Sequence, residues 1–98
     1  MSIRESELME RFRLLGLWRA NELYLRPADA REFINAANAL GLRVIGIECF
    51  EQESDKLRPR LDLIADFSAA SLQAANDAAR SFIESVPQGV VCSFTLAE

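Results

Sequence analysis

The chain is 98 residues long, half of its residues are hydrophobic, and its formal net charge is −4 at pH 7. A chain of this length forms one domain with a single core. The acidic balance argues against nucleic acid and against an anionic membrane surface as partners, since both carry negative charge. Histidine is absent, which removes the commonest general base and the commonest metal ligand.

The N-terminal stretch MSIRESELMERF alternates in charge and contains no apolar segment, so we expect no signal peptide. No segment reaches the ~18 uninterrupted apolar residues of a membrane-spanning helix. The two cysteines lie in apolar segments and lack the spacing of a metal-binding or disulfide-rich motif. These features predict a soluble, cytoplasmic protein with reduced cysteines and no cofactor.

Three segments have the three-and-four spacing of apolar residues that predicts amphipathic helices. The first covers residues 5–15. The second covers residues 27–40 and ends before Gly41, a residue suited to the left-handed conformation that follows a helix. The third covers residues 68–86, with Ser68 as the predicted N-cap.

Four segments alternate between polar and apolar residues, or are rich in β-branched residues, and predict strands at 22–26, 42–50, 60–67 and 90–96. Alternation assigns Ile45, Ile47 and Cys49 to one face of the second strand and Val44 to the other. In the third strand, Leu61 is assigned to the same face as Ile47. These apolar faces are expected to lie under the helices.

After the leading helix, the order strand, helix, strand, strand, helix, strand predicts an α+β fold of the ferredoxin-like βαββαβ type. This two-layer sandwich has a four-stranded antiparallel sheet with two helices on one face. Residues 1–98 would form a single domain, with 1–20 as an N-terminal helical extension and 21–98 as the core. The strand order 4-1-3-2 would place Tyr24 and Ile64 on the two central strands.

The sheet face away from the helices would mix Tyr24 and Ile64 with carboxylates. Either the N-terminal helix covers this face, or a second subunit pairs with it, or a ligand or partner protein binds there. Tyr24 is placed like a stacking aromatic of RNA-binding ferredoxin-like domains, but Asp62 and Asp66 beside it would repel phosphate. Trp18, between the leading helix and the first strand, is interpreted as a core residue.

Cys49 is surrounded in sequence by Glu48, Glu51 and Glu53, whose charges disfavour the thiolate that a nucleophile needs. Cys49 and Cys92 are therefore interpreted as buried, inert residues. The predicted strand order places them on opposite edge strands, so no disulfide between them is expected.

The remaining acids do not suit catalysis or metal binding. Asp62 and Asp66 would lie about 13 Å apart on one strand face, too far to share a proton. Hard oxygen ligands from Glu48 and Asp62 could approach a divalent cation, but the adjoining turn lacks the ligand spacing and the central glycine of a calcium loop. We therefore expect solvated carboxylates, no metal and no enzymatic activity.

The whole layout is similar to that of small bacterial toxin-immunity proteins. The stretches ELYLRPADA, GLRVIGIE and PRLDLIADFS follow one another in an acidic chain without histidine. The resemblance implies a protein that binds and neutralises a basic, nuclease-like toxin. The residues available on the predicted surface for such a cationic partner are Glu48, Glu51, Glu53, Asp55, Asp62, Asp66 and Tyr24.

Two alternatives remain open. The junction ALGLRVIGI resembles that of ACT-type regulatory domains, which implies a homodimeric sensor of small ligands. ACT-type domains carry an Asp-Arg-Pro-Gly-like turn after the first strand, whereas this chain has LRPAD there, without the glycine. The other alternative is a structural homodimer that pairs through the open sheet face.

Overall fold

The computed structural model describes residues 2–98, which form three helices and five strands. The elements are α1 (Ile3–Phe12), β1 (Leu17–Arg19), β2 (Glu22–Tyr24), α2 (Pro27–Ala39), β3 (Arg43–Glu53), β4 (Lys56–Asp66), α3 (Leu72–Glu84) and β5 (Val90–Ala97). This combination of helices and antiparallel strands confirms the predicted α+β class. Throughout the described residues, no helix is both long and apolar enough to cross a membrane.

The strands form a three-stranded and a two-stranded sheet in place of the predicted four-stranded one. The larger sheet has the order β4-β3-β5, whereas β1 and β2 form a separate hairpin. A single bridge between Leu25 and Cys92 connects this hairpin to β5. The predicted order required β2 at the centre. β2 has only three residues and pairs with β1, so the eight-residue β5 pairs with β3 instead.

The segment predicted as an N-terminal helical extension contains a helix and a strand, with Met1 outside the described residues. α1 starts with a capping box, in which the Ser2 hydroxyl accepts from the Glu5 N–H and the Glu5 carboxylate accepts from the Ser2 N–H. The ring of Phe12 packs edge-on against Phe33 of α2, with ring centroids 5.3 Å apart. α1 therefore joins the helical layer.

The other two helices begin and end close to the predicted positions. α2 starts at Pro27 and is followed by Gly41 at φ 74°, which confirms the predicted left-handed termination. α3 has Ser71 as its N-cap, and the prediction of Ser68 was wrong. The Ser68 N–H donates instead to the Asp66 carboxylate in the turn before the helix.

An irregularity in β3 exchanges the predicted faces of two residues. The register between β3 and β5 shifts between Val44 and Gly46, at Ile45. The inserted residue reverses the alternation, so Val44 is fully buried in the same core as Ile47 and Cys49. The assignment of Ile45 to the helix side and of Val44 to the other side was therefore wrong.

A larger irregularity in β4 overturns the prediction for Leu61. Beyond the Glu48–Ile64 pair, residues 60–63 of β4 lie opposite the single residue Cys49 of β3. The extra residues leave the ladder, and Leu61 is 79% exposed. Ile64, predicted on a central strand, lies on the edge of the three-stranded sheet.

A buried asparagine holds α3 against the entry to β3. Asn76 is fully buried, and its Oδ1 accepts from the Val44 N–H at 2.8 Å. Its Nδ2 donates to the Leu42 carbonyl at 3.0 Å and to Asn38 Oδ1 at 2.9 Å. These bonds satisfy buried backbone groups next to the irregularity in β3. Apolar periodicity gave no sign of Asn76, because this polar residue occupies a position on the buried face of α3.

We expect Asn76→Ala to destabilise the protein by about 2–4 kcal/mol, because it leaves the Val44 N–H and the Leu42 carbonyl unpaired in the core. Asn38→Ala removes one bond from a half-buried position and should cost about 1 kcal/mol. Urea unfolding followed by circular dichroism measures both. Equal unfolding free energies for wild type and Asn76→Ala would contradict this role.

The turn between β1 and β2 contains Ala20 at φ 51° and Asn21 at φ 64°. Two positive φ values in a two-residue hairpin loop favour glycine. We expect Ala20→Gly to stabilise the protein by about 0.5–1 kcal/mol, and Ala74→Gly, on the exposed face of α3, to destabilise it by about 1 kcal/mol. Compared with wild type, the melting temperature should therefore rise in Ala20→Gly and fall in Ala74→Gly. A lower melting temperature in both variants would refute the strain at Ala20.

Candidate protein-binding surface

The acidic residues predicted to bind a partner do not form one continuous charged patch. Glu51 and Asp62 both pair with Arg60, each at 2.9 Å, and Glu53 pairs with Arg58 at 3.4 Å. The Asp62 carboxylate accepts from Arg60 through both of its oxygens. The arginines thus compensate half of the predicted acidic set, and the tip of the β3–β4 hairpin is less negative than its sequence indicates.

Hydrogen bonds also affect the ionisation of two of these acids. The bonds from Arg60 hold the pKa of Asp62 below its usual value of 3.8. Hydrogen bonds from Ser68 likewise lower the pKa of Asp66. Both groups are therefore ionised at neutral pH. Across residues 2–98, no cluster of three or more cysteines and acidic residues is arranged to hold a metal ion.

Two carboxylates without ion pairs in the described chain flank an exposed apolar side chain. Ile64 is 52% exposed, with Glu48 directly opposite it on β3. Asp66 lies two residues further along β4, opposite Gly46. Alternate residues of a strand share a face, so all four lie on the sheet face away from the helices. We call Gly46, Glu48, Ile64 and Asp66 the Ile64 patch.

An open depression of about 270 Å³ lies within the Ile64 patch and extends to Ser68 and Thr95. Gly46 contributes no side chain to fill it. A Cβ atom at Gly46 would make only ordinary contacts, the nearest with Thr95 at 3.5 Å. The register shift of β3 lies immediately before this glycine, at Ile45. The depression is therefore present because residue 46 has no side chain, although the surrounding atoms leave room for a Cβ atom.

The Ile64 patch adjoins an open sheet edge. Within the part of the chain that the structure describes, no strand pairs with the outer side of β4. Pro59 and the irregular residues 60–63 interrupt this edge, which is a common protection against unwanted strand pairing. Leu61, within this interruption, is exposed. The edge therefore offers an apolar side chain and unpaired backbone groups next to the patch.

Tyr24 and Asp55, the other two predicted site residues, lie outside this patch. The Tyr24 ring packs edge-to-face on Phe50, with centroids 5.3 Å apart. Burial, followed by the charges of Glu22 and Glu48, raises the pKa of Tyr24. Asp55 is at the hairpin tip, where its carbonyl accepts from the Arg19 side chain. Tyr24 therefore supports the sheet at the border of the patch, and Asp55 belongs to the hairpin tip.

A second exposed apolar group lies near the N-terminal end. Leu14 is 95% exposed, and Trp18, interpreted from sequence as a core residue, is 38% exposed. The Arg13 guanidinium lies 5.7 Å from the centre of the Trp18 ring. Because arginines surround these residues in the sequence, this surface is the less suited of the two to a cationic partner.

The cysteines are buried as predicted, but their relative placement was predicted wrongly. Cys49 and Cys92 are directly opposite on neighbouring strands, because β5 pairs with β3. Their sulfur atoms are 3.3 Å apart, and both thiols are free. The pKa of Cys92 is raised mainly by its hydrogen bond to Cys49 and, to a smaller extent, by burial. The bond from Cys92 lowers the pKa of Cys49, against the effect of burial.

We expect Arg60→Gln to return the pKa of Asp62 towards 3.8, measured by NMR titration of its carboxyl group. Asp66 should be unaffected, because its hydrogen bonds come from Ser68. A folded-state pKa below the unfolded value means that the Asp62 contribution to stability is present above about pH 4 and is lost as the pH falls through the folded pKa. An unchanged Asp62 titration in Arg60→Gln would contradict this assignment.

No family model matches the chain, and no curated protein and no solved structure matches it either.

Proposed function

We propose that the protein is a non-enzymatic binding module that recognises a cationic protein through the Ile64 patch and the adjoining edge of β4. The observation that carries this proposal is the exposed Ile64 side chain between the carboxylates of Glu48 and Asp66. An apolar centre with a charged rim is typical of protein interfaces. Carboxylates that form no ion pair within the described chain favour a partner rich in lysine and arginine and speed its association.

The most specific form of the proposal is an immunity protein that acts in the cytoplasm and neutralises a basic, nuclease-like toxin domain. A nuclease binds phosphate through positively charged side chains. The carboxylates of Glu48 and Asp66 can pair with the same side chains and compete with the nucleic acid. The net charge of −4 and the similarity in layout to immunity proteins support this form.

A second copy of this chain is the main competing occupant of the open edge. Like charges disfavour this pairing, because Glu48 and Asp66 of each copy would approach those of the other. The ACT-type alternative has less support. It depends on a ferredoxin-like four-stranded sheet, and β2 reaches the larger sheet only through the Leu25–Cys92 bridge. It also depends on a glycine that the turn after β2 lacks.

The test compares Glu48→Lys with Glu32→Lys, which makes the same charge change on the exposed surface of α2. Tagged wild type, purified from its native host, should retain a cationic protein identified by mass spectrometry. Calorimetry with that purified protein should show Glu48→Lys binding about 10–100-fold more weakly and Glu32→Lys binding like wild type. The weakening should diminish as salt is raised.

A second matched pair tests the apolar centre. Ile64→Ala should weaken binding by about tenfold or more, and Leu14→Ala, at the other exposed apolar group, should leave it unchanged. Light scattering should give the mass of a single chain. The proposal would be overturned if the captured partner were acidic, or if Glu48→Lys and Glu32→Lys weakened binding equally. It would also be overturned if the protein were a dimer that Ile64→Ala disrupts.

A further inference from the structure

The backbone around Cys92 defines its geometry relative to Cys49. The Cys92 N–H donates to the Leu25 carbonyl at 2.7 Å, and the Leu25 N–H donates to the Cys92 carbonyl at 2.9 Å. Both backbone groups of Cys92 thus bond towards Leu25 and away from β3. Cys49 and Cys92 therefore form a non-hydrogen-bonded pair of the antiparallel ladder, the type in which Cα atoms are closest, at about 4.5 Å.

This placement matches what a disulfide needs. Disulfide-linked residues have Cα atoms about 4.4–6.8 Å apart, a range that includes non-hydrogen-bonded pairs. The sulfur atoms already face each other at 3.3 Å. Closing the bond therefore requires side-chain movement and no rearrangement of the strands.

We propose that Cys49 and Cys92 form a reversible oxidation site, which closes to an intramolecular disulfide when the protein meets a peroxide and reopens with a dithiol reductant. This site is independent of the proposed partner surface, since both side chains face the helical core. Cys49 is the first thiol to react, because the bond from Cys92 and then the Arg60 charge favour its thiolate, against the effects of burial and of the Asp62 charge.

The chemistry balances with one peroxide molecule. The Cys49 thiolate attacks one oxygen of hydrogen peroxide, so that an S–O bond forms, the O–O bond breaks, and the released hydroxide takes up the proton lost by Cys49. The Cys92 sulfur then attacks the Cys49 sulfur. The S–S bond forms, the S–O bond breaks, and the leaving hydroxide combines with the Cys92 proton. Two electrons pass from the sulfurs to peroxide, which becomes two waters.

The interruption in β4 provides the route of access. Both thiols are buried, so peroxide reaches them only when the structure opens locally. Residues 60–63 of β4 stand opposite Cys49 without regular ladder pairs, so fewer backbone hydrogen bonds oppose the separation of β4 from β3 there. Oxidation of the folded protein should therefore be slower than oxidation of the unfolded chain.

Peptide mapping of the 98-residue chain tests the proposal. The reduced, desalted protein is treated with hydrogen peroxide, alkylated in denaturant and digested with trypsin. Cleavage after Arg43, Lys56 and Arg80 places Cys49 in peptide 44–56 and Cys92 in peptide 81–98. We expect these two peptides to be joined, and to separate after treatment with dithiothreitol.

Thermal unfolding gives an independent readout. The disulfide connects residues 43 positions apart and restricts the unfolded chain, so the oxidised protein should melt at least about 5 °C higher than the reduced protein. Cys92→Ala should show no such shift with peroxide. Should that variant fail to fold, the wild-type peptide map decides alone.

Three results would overturn the proposal. One is two free thiols that persist in the folded protein through an exposure to peroxide much longer than the one that oxidises the same chain unfolded in guanidinium. Another is oxidation to sulfinic or sulfonic acid without joined peptides. The third is joined peptides that come only from disulfide-linked dimers, separated by gel filtration under non-reducing conditions.

Discussion

The hydrogen bonds of Asn76 are the constraint on which the rest of the sheet depends. They fix the Val44 N–H and the Leu42 carbonyl to α3 at the point where β3 begins. The register of β3 changes immediately afterwards, and the buried amide satisfies backbone groups that the helix would otherwise cover without a partner. Because β3 is the central strand, its position at this point determines which side chains of β4 and β5 face the core.

The two irregularities of the sheet have different consequences. The shift at Ile45 places Val44 in the core and leaves Gly46 and Glu48 on the open face. The longer interruption in β4 exposes Leu61 and brings Arg60 to two carboxylates. Together they separate a compensated hairpin tip from the Ile64 patch, where the negative charge remains available. The candidate surface is therefore a product of departures from regular strand geometry.

The central pairing of β3 with β5 also brings the cysteines together. The same ladder places Cys49 opposite Cys92 on the core side and Glu48 opposite Ser93 on the open side. One strand pair thus carries the proposed oxidation site on one face and borders the proposed binding surface on the other.

The sequence by itself determined the helices, most of the strands and the α+β class, because apolar periodicity and terminators such as Pro27 and Gly41 act over a few residues. It also identified the acidic residues near the surface. Strand order, the face of Leu61 and the pairing of Cys49 with Cys92 were decided by the tertiary structure. These three features depend on which of the distant strands pairs with the edge of β3. They also depend on the buried amide of Asn76, whose hydrogen-bond partners are brought together only by folding.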